Sequence, residues 1–191
     1  MKKIASVQMG YSFRARLEVV KSGNLEVIQM KDLCDDHTVD CNDLVAIDLE
    51  GVKEHHLVRK GDLVLRSRGL VTTSAIVLEE LQNAVVAAPL LRIRVENPDK
   101  VLPEYLNWYI NQREAQQFLD SRAIGTAQKM IGKEALEDLE VFVPSLVRQK
   151  NIVELASLSA REQRLLHALA EKCEQYISEL LRRSAKGVEG K

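Results

Sequence analysis

The chain has 191 residues, 46% of them hydrophobic and 29% charged, and its formal net charge is −1 at pH 7. This size fits one well-cored globular domain with an appendage and is too small for two ordinary domains. Because no apolar run approaches the roughly 18 residues of a membrane-spanning helix, the composition excludes a transmembrane protein.

The amino terminus and the cysteine content both favour a cytoplasmic location. Residues 1–8 are too polar to contain the apolar core of a secretory signal. The three cysteines are an odd number, which does not suggest a disulfide framework and fits a reducing compartment.

Charge is unevenly distributed along the chain although it nearly balances overall. Residues 31–50 hold seven acids against one base, whereas residues 53–73 hold five bases against two acids. Residues 121–133 hold three bases and no acid. The two basic segments are candidate nucleic-acid contacts, and a solvated surface run is the alternative for each of them.

Short runs of Val, Ile, Leu and Ala between turn residues predict a series of strands. The first two form a predicted hairpin, with strands at residues 14–20 and 25–30 around a turn at 21–24. Further strands are predicted at residues 44–49, 62–67, 74–78, 84–87 and 90–95. Together they make a mixed or antiparallel sheet.

A possible metal site falls in the acidic segment, where Cys34, His37 and Cys41 lie close together. A structural zinc site usually takes four Cys or His ligands from paired clusters. The other donors are His55, His56 and the remote Cys173. We therefore expect no metal and interpret the segment as a polar loop with buried thiols.

Helices follow the predicted sheet. Pro103 is suited to a first helical position, and the apolar spacing after it predicts a helix to about residue 121. A loop at residues 123–129, a short helix at 133–138 and a strand at 139–143, which Pro144 ends, come next. The predicted fold class is α+β, with a mixed or antiparallel sheet, packed helices and a long C-terminal helix.

The long helix is predicted at residues 145–183, which contain no Gly or Pro and carry a heptad seam suited to a coiled coil. The seam residues are Ile152, Ala156, Ser159, Gln163, Leu166, Ala170, Cys173, Ile177 and Leu180. The apolar face is widened on both flanks by Leu155, Leu158, Leu165, Leu169, Tyr176 and Leu181. Such a face favours a helical partner, and a helix folded back on its own domain is the alternative.

The order of several short motifs resembles the DNA-specificity subunit of type I restriction-modification systems. The motifs are Lys60-Gly61-Asp62-Leu63-Val64-Leu65 running into Arg66-Ser67-Arg68-Gly69, then Pro103-Glu104-Tyr105-Leu106, Gly125-Thr126-Ala127-Gln128, Ile131 and Leu136 before Leu139-Glu140-Val141-Phe142-Val143-Pro144, and Gln149 with Ile152-Val153 in the long helix. The resemblance covers roughly residues 57–181. Two departures are the single Pro144 before the helix and Arg148 in place of an acid before Gln149.

The resemblance implies a target-recognition domain at residues 1–144 and a helical spacer and dimerisation arm at residues 145–191. In that family one chain usually has two recognition domains and two spacers, and this sequence has one of each. The resemblance therefore implies a homodimer joined by the C-terminal helices, antiparallel as in the family. The implied partners are double-stranded DNA and a methyltransferase (modification) subunit, and a restriction subunit is a further candidate.

Residue chemistry independently favours DNA binding, because a duplex reader needs cations for phosphates and polar groups for base edges. Two loops supply both kinds of group. The predicted DNA-binding residues are Arg66, Ser67, Arg68, Thr72, Thr73, Thr126, Gln128 and Lys129. Arg can bind guanine and Gln can bind adenine in bidentate fashion, so Arg66, Arg68 and Gln128 are the best candidates for base or groove contact.

The sequence contains few features of an enzyme. It has no Gly-rich dinucleotide fingerprint, no Walker-type Gly-Lys-Ser/Thr and no Gly-x-Ser-x-Gly elbow, so we expect no catalytic residue and no cofactor. The leading prediction is a DNA-specificity subunit that directs a methyltransferase or restriction partner to a bipartite site. The alternatives are a non-catalytic coiled-coil assembly scaffold that does not bind DNA and an enzyme with a cryptic site.

Overall fold

A computed structural model of the protein describes residues 1–13, 18–20, 22–69, 72–125 and 129–185. The chain divides into two compact units, Met1–Val153 and Glu154–Lys191. Within the described ranges, no helix is both long enough and apolar enough to cross a bilayer.

The larger sheet of the first unit has four antiparallel strands in the order β1-β7-β4-β5. Its strands are β1 (Ala5–Met9), β4 (Leu63–Leu65), β5 (Ser74–Ile76) and β7 (Leu91–Val95). β4 is paired on both sides, with Leu63 opposite Ile93 of β7 and Ile76 of β5. All three β4 residues are buried, as expected of a short apolar run in the middle of a sheet.

The smaller sheet has three strands in the order β3-β2-β6, namely β2 (Leu25–Ile28), β3 (Val45–Ile47) and β6 (Ala84–Val86). β2 is antiparallel to β3 and parallel to β6. The prediction that residues 25–30 form a hairpin with residues 14–20 is therefore wrong, because β2 pairs with β3 and β6 instead. Residues 14–17 lie outside the described ranges, and residues 18–20 form no strand, although Val20 N donates to Ala46 O at 2.9 Å. The partners of β2 are distant in sequence, which a local turn pattern cannot indicate.

The described helices are α1 (Pro103–Ile110), α2 (Arg113–Ser121), α3 (Lys133–Glu137) and α4 (Leu146–Ala185). The single helix predicted for residues 103–121 is thus two helices, and the break has a clear cause. The side chain of Asn111 binds the edge of β5, accepting from Ser74 N at 3.0 Å and donating to Ser74 O at 2.8 Å. Ending α1 at this point satisfies a strand edge that would otherwise lack partners.

The strand predicted at residues 139–143 is absent, and the segment is irregular. Two tyrosines of α1 donate hydrogen bonds to it, and the amino terminus of Met1 donates to Leu139 O. Tyr105 Oη donates to Phe142 O at 2.6 Å, and Tyr109 Oη donates to Glu140 O at 3.2 Å. These donors therefore replace a neighbouring strand.

The hydrophobic core of the first unit has three clusters. The largest lies between the four-stranded sheet and the helices and includes Leu63, Leu91, Leu106 and Leu136. Ile152 and Val153, in the second turn of α4, pack against this cluster. The start of α4 is therefore part of the globular unit, whereas Glu154 and the residues after it form the second unit.

Candidate nucleic-acid interface

Two loops that are far apart in sequence lie side by side. We call residues 66–69, which follow β4, the cationic loop, and residues 123–131, which follow α2, the glycine loop. Ile131 N donates to Ser67 O at 2.7 Å. The structure thus brings the two predicted loops together.

The contact between the loops continues toward their tips. Arg68 and Met130 form an antiparallel bridge, and Gly69 N donates to Lys129 O at 3.2 Å. Within the glycine loop, the backbones of Ile124 and Met130 exchange hydrogen bonds of 3.0 and 2.9 Å. A short backbone ladder therefore joins the described parts of the two loops.

The predicted DNA-binding residues differ in exposure. Ser67 is buried, and its hydroxyl donates to Pro89 O. Thr72 is also buried and Thr73 is half-buried. The guanidinium of the half-buried Arg66 donates to Met30 O at 3.2 Å, while its Nε is buried without a partner in the described structure. Arg66 and Ser67 therefore bind backbone carbonyls of the protein itself.

The exposed cations at the contact between the loops are Arg68 and Lys129. Neither has a carboxylate within ion-pair distance among the described residues. Arg122 differs, because it pairs with Asp138 at 3.2 Å and its guanidinium lies 4.8 Å from the Phe118 ring centroid. Arg68 and Lys129 therefore carry charges that no described carboxylate neutralises, and the Arg68 guanidinium contacts Met130 Sδ at 4.0 Å.

Two predicted contacts, Thr126 and Gln128, lie outside the described residues. Next to them, Gly125 has a φ of 103°, a left-handed conformation that favours glycine. Ile124 is 71% exposed and Met130 is also exposed, so the rim of the glycine loop is partly apolar. Apolar side chains of this kind can contact the methyl group of thymine.

A buried ionic cluster lies at the start of β4, at the opposite end of this strand from the cationic loop, and it was not among the predicted sites. Asp62, just before β4, is 1% exposed, and Arg94 binds it in bidentate fashion at 2.7 and 2.6 Å. Arg92 lies 3.5 Å from Asp62 and donates to Gln8 Oε1 at 2.6 Å. Burial lowers the pKa of Arg92. The signal was the alternation Leu-Arg-Ile-Arg-Val in β7, which predicts that both arginines share one face of a strand.

The prediction of buried thiols in the Cys34–Cys41 segment is wrong for Cys34, which is exposed, whereas Cys41 is half-buried. No group of three His, Cys, Asp or Glu in the described residues is arranged to hold a metal ion. Burial raises the pKa of the Cys41 thiol to about 11, which disfavours the thiolate that metals bind. The acids of this segment shape turns instead, as where Asp36 accepts from the Thr38 hydroxyl at 2.6 Å and Asp40 from Asn42 N at 3.0 Å.

The predicted seam of the long helix has two environments. Ile152 packs against the core of the first unit, and Ala156 is half-buried. The remaining seam residues are exposed, namely Ser159, Gln163, Leu166, Ala170, Cys173, Ile177 and Leu180.

Comparison with protein families gives one match, to the type I restriction modification DNA specificity domain, over residues 1–172. Comparison with the curated proteins yields no match.

Solved structures with a similar fold are chains of type I restriction-modification systems. The S subunit from M. genitalium is 13% identical with a TM-score of 0.57, over 95% of this chain and 43% of that one. The HsdS subunit from Thermoanaerobacter tengcongensis is 15% identical with a TM-score of 0.59, over 98% and 44%. A chain solved in work on complex assembly and conformational transition of the type I R-M system is 17% identical with a TM-score of 0.65, over 97% and 42%. This chain therefore spans less than half the length of each.

Proposed function

The chain belongs to the type I restriction-modification DNA specificity domain family, and from this premise we propose that it is a sequence-specific double-stranded DNA-binding subunit. It directs a methyltransferase or restriction partner to a bipartite site and catalyses no reaction itself. Residues 1–144 form the target-recognition domain, and residues 145–191 form the spacer and dimerisation arm.

One observation carries the DNA-binding proposal. Two exposed cations, Arg68 and Lys129, lie at the contact between two loops whose backbones are hydrogen-bonded to each other. No carboxylate of the described ranges lies within ion-pair distance of either cation. Cations that are not neutralised by carboxylates gain most from phosphates, because they release the counterions condensed on DNA. Backbone that is already held by hydrogen bonds, as at Gly69 and Ile131, loses little conformational entropy on binding.

The strand β4, which leads into the cationic loop, is firmly held in the sheet and suits a recognition surface. Asp62 is tied to two arginines of β7, and the strand that follows it leads directly into the cationic loop. A loop on a rigid strand holds its side chains in fixed register with base edges, which is what sequence reading requires. Arg68 is the best candidate for a bidentate contact with guanine, and Thr126 and Gln128 remain proposed contacts from the glycine loop.

We propose that the active form is a homodimer joined by α4. The matched region covers 42–44% of each solved chain, which is the share that one of two similar halves would cover. The exposed apolar seam of α4 supports helical pairing. Two identical readers related by a two-fold axis would recognise a palindromic site made of two half-sites.

A methyltransferase subunit is the proposed second partner, and a restriction subunit is a further one. The exposed apolar face of α4 is broader than one seam, since Leu158 and Leu165 lie outside the seam positions. These leucines offer contact area to another helix. The same face also favours the alternative function, a scaffold that assembles proteins through α4 without binding DNA.

Fluorescence anisotropy with a labelled random duplex separates these functions. We expect affinity of the wild-type protein to fall steeply between about 50 and 200 mM salt. The variant Arg68→Ala/Lys129→Ala should bind more weakly, with a slope of log K against log salt reduced by about 2, one for each phosphate contact.

The matched control is Lys100→Ala/Lys150→Ala, which removes two exposed cations that belong to neither loop and should keep the wild-type slope. An unchanged slope in the loop variant would assign DNA binding to another surface. Absence of salt-dependent binding by the wild-type protein would favour the scaffold.

A further inference from the structure

The second unit is a helix with an unusually large exposed apolar surface. Nine large apolar side chains between Leu155 and Leu181 are 47–70% exposed, namely Leu155, Leu158, Leu165, Leu166, Leu169, Tyr176, Ile177, Leu180 and Leu181. Single exposed apolar residues need no explanation, but a contiguous stripe indicates a partner surface. The sizes of the seam side chains also indicate which partner helix fits and in which alignment.

Large and small residues follow one another along the seam in an uneven order. Ala156 and Ser159 are small, Leu166 is large, Ala170 and Cys173 are small, and Ile177 and Leu180 are large. Each seam residue packs into the facing helix, so the sum of the two facing volumes sets the local distance between helix axes. We call two facing seam residues a layer. Good packing needs a similar summed side-chain volume in every layer.

A parallel pair of identical helices in register fails this requirement. Each residue would then face its own copy, so that Leu166 would meet Leu166 and Ala170 would meet Ala170. Layers of two large residues would alternate with layers of two small ones. The helices would be pushed apart at one layer and left with a void at the next, and both defects are destabilising.

Antiparallel pairing allows several registers that differ by one heptad, and one of them balances the volumes. When the position numbers of facing residues sum to 336, Ala156 faces Leu180, Ser159 faces Ile177, and Leu166 faces Ala170. Each of these layers contains one large and one small residue. The remaining layer places Gln163 opposite Cys173, an intermediate pair.

The neighbouring registers lack this balance. Shifting one helix by one heptad in one direction places Ile152 opposite Ile177 and Ala156 opposite Cys173. Ile152, however, already packs against the core of the first unit. Moving one heptad in the other direction places Leu166 opposite Ile177 and Ala170 opposite Cys173. Each alternative combines a crowded layer with an underfilled one.

We propose that two copies of α4 pair antiparallel in the register whose two-fold axis passes between the Leu166 and Ala170 layers, level with position 168, with Gln163 of each copy facing Cys173 of the other. This inference rests on the proposed homodimer and specifies its contacts. In this register Leu169 of each copy lies beside the axis and flanks the two Leu166–Ala170 layers.

The buried area agrees with a second copy as the occupant. Seven of the nine exposed large residues occupy core or flanking positions of this pair, and only Leu158 and Leu165 lie outside. At on the order of 100 Å² of apolar surface per side chain, the seven contribute roughly 700 Å² per copy. A standard stable interface buries about 800 Å² per partner.

Disulfide trapping in the full-length protein tests the register. Replacing Cys34 and Cys41 with Ser leaves Cys173 as the only thiol. Adding Gln163→Cys should then give a disulfide-linked dimer under mild glutathione oxidation. Positions 163 and 173 of one helix are about 15 Å apart along the axis, too far for an intrachain disulfide, and peptide mapping should show a 163–173 link.

Two further cysteine variants test for the alternative pairings of the two helices. The background with Cys173 alone should stay uncrosslinked, because efficient dimerisation through Cys173 would indicate a parallel pair. Ala156→Cys in the same background should also stay uncrosslinked, because its linkage to Cys173 would indicate the neighbouring register. Either result, or a Gln163→Cys dimer in sedimentation that does not crosslink, would overturn the proposed register.

Failure of the homodimer is a separate result, since sedimentation velocity of the wild-type protein would then show a monomer at all concentrations. Failure of DNA binding would appear only in the anisotropy measurement and would leave the crosslinking pattern unchanged.

Discussion

Gln149 in the first turn of α4 accepts a hydrogen bond from Leu102 N, the residue before α1, at 2.8 Å. Its Nε2 donates to Lys100 O and to Pro144 O, both at 2.8 Å. The side chain is 0% exposed, and it ties the start of α4 to the start of α1. One buried amide thus satisfies three backbone groups at two helix starts.

Gln149→Ala should therefore destabilise the first unit strongly. The substitution removes the hydrogen-bond partner of three partly buried backbone groups, Leu102 N, Lys100 O and Pro144 O. A buried group left without a partner costs about 1–3 kcal/mol. We expect the free energy of unfolding, from urea titration, to fall by about 3 kcal/mol or more. Lys150→Ala, at the exposed neighbouring position, should change it by no more than about 0.5 kcal/mol. Equal effects of the two variants would contradict the role of Gln149.

Asp62→Ala should be comparably destabilising. Removing the carboxylate leaves Arg92 and Arg94 as buried or partly buried cations without their partner. Breaking a buried ion pair by removing one member typically costs about 3–5 kcal/mol. Glu54→Gln removes the carboxylate of the exposed Arg59–Glu54 pair and should cost less than about 1 kcal/mol. A loss below that level for Asp62→Ala would indicate that the cluster does not support β4.

Acid should weaken the fold partly through His37. Burial of the ring lowers the pKa of His37 below its ordinary value of 6.5, so the unfolded chain binds the proton more readily than the folded one. This contribution to stability is complete above pH 6.5 and is lost as the pH falls from 6.5 through the lowered folded value. Burial also lowers the pKa of His56, which adds a second contribution of the same sign.

His37→Asn isolates the first contribution, because Asn tolerates the positive φ of 64° at this position. The difference in urea midpoint between about pH 7.5 and about pH 5.5 should be smaller in this variant than in the wild-type protein. His167→Gln on the exposed part of α4 serves as the control and should retain the full difference. An unchanged pH dependence in His37→Asn would exclude His37 as its source.

Leu166→Pro should convert the proposed dimer into monomers. A proline in a helix interior costs about 3 kcal/mol or more and kinks the seam at its centre. Sedimentation velocity should show a single species at monomer mass, while the urea midpoint of the first unit should stay at its wild-type value. Ser184→Pro, in the last turn of α4, is the control and should leave the dimer intact. A dimeric Leu166→Pro protein would mean that the interface lies elsewhere.

Several elements could be predicted because their signals are local. β4 and β6 are short, fully buried apolar runs, and α4 follows from an uninterrupted periodic stretch without Gly or Pro. The pairing of β2 could not be predicted, since its neighbours β3 and β6 are distant in sequence. The break between α1 and α2 depends on a bond from Asn111 to the edge of β5. No helical periodicity reports such a contact.

The sequence by itself determined the α+β class, the long apolar C-terminal helix and the two basic loop segments, because composition and periodicity are properties of neighbouring residues. Only the tertiary structure decided that Arg68 meets Met130, that Ser67 is buried against Pro89, and that Asp62 is paired with Arg92 and Arg94. These relations join residues far apart in the chain. Their distances and burial arise when the sheets and helices pack, which no window of sequence contains.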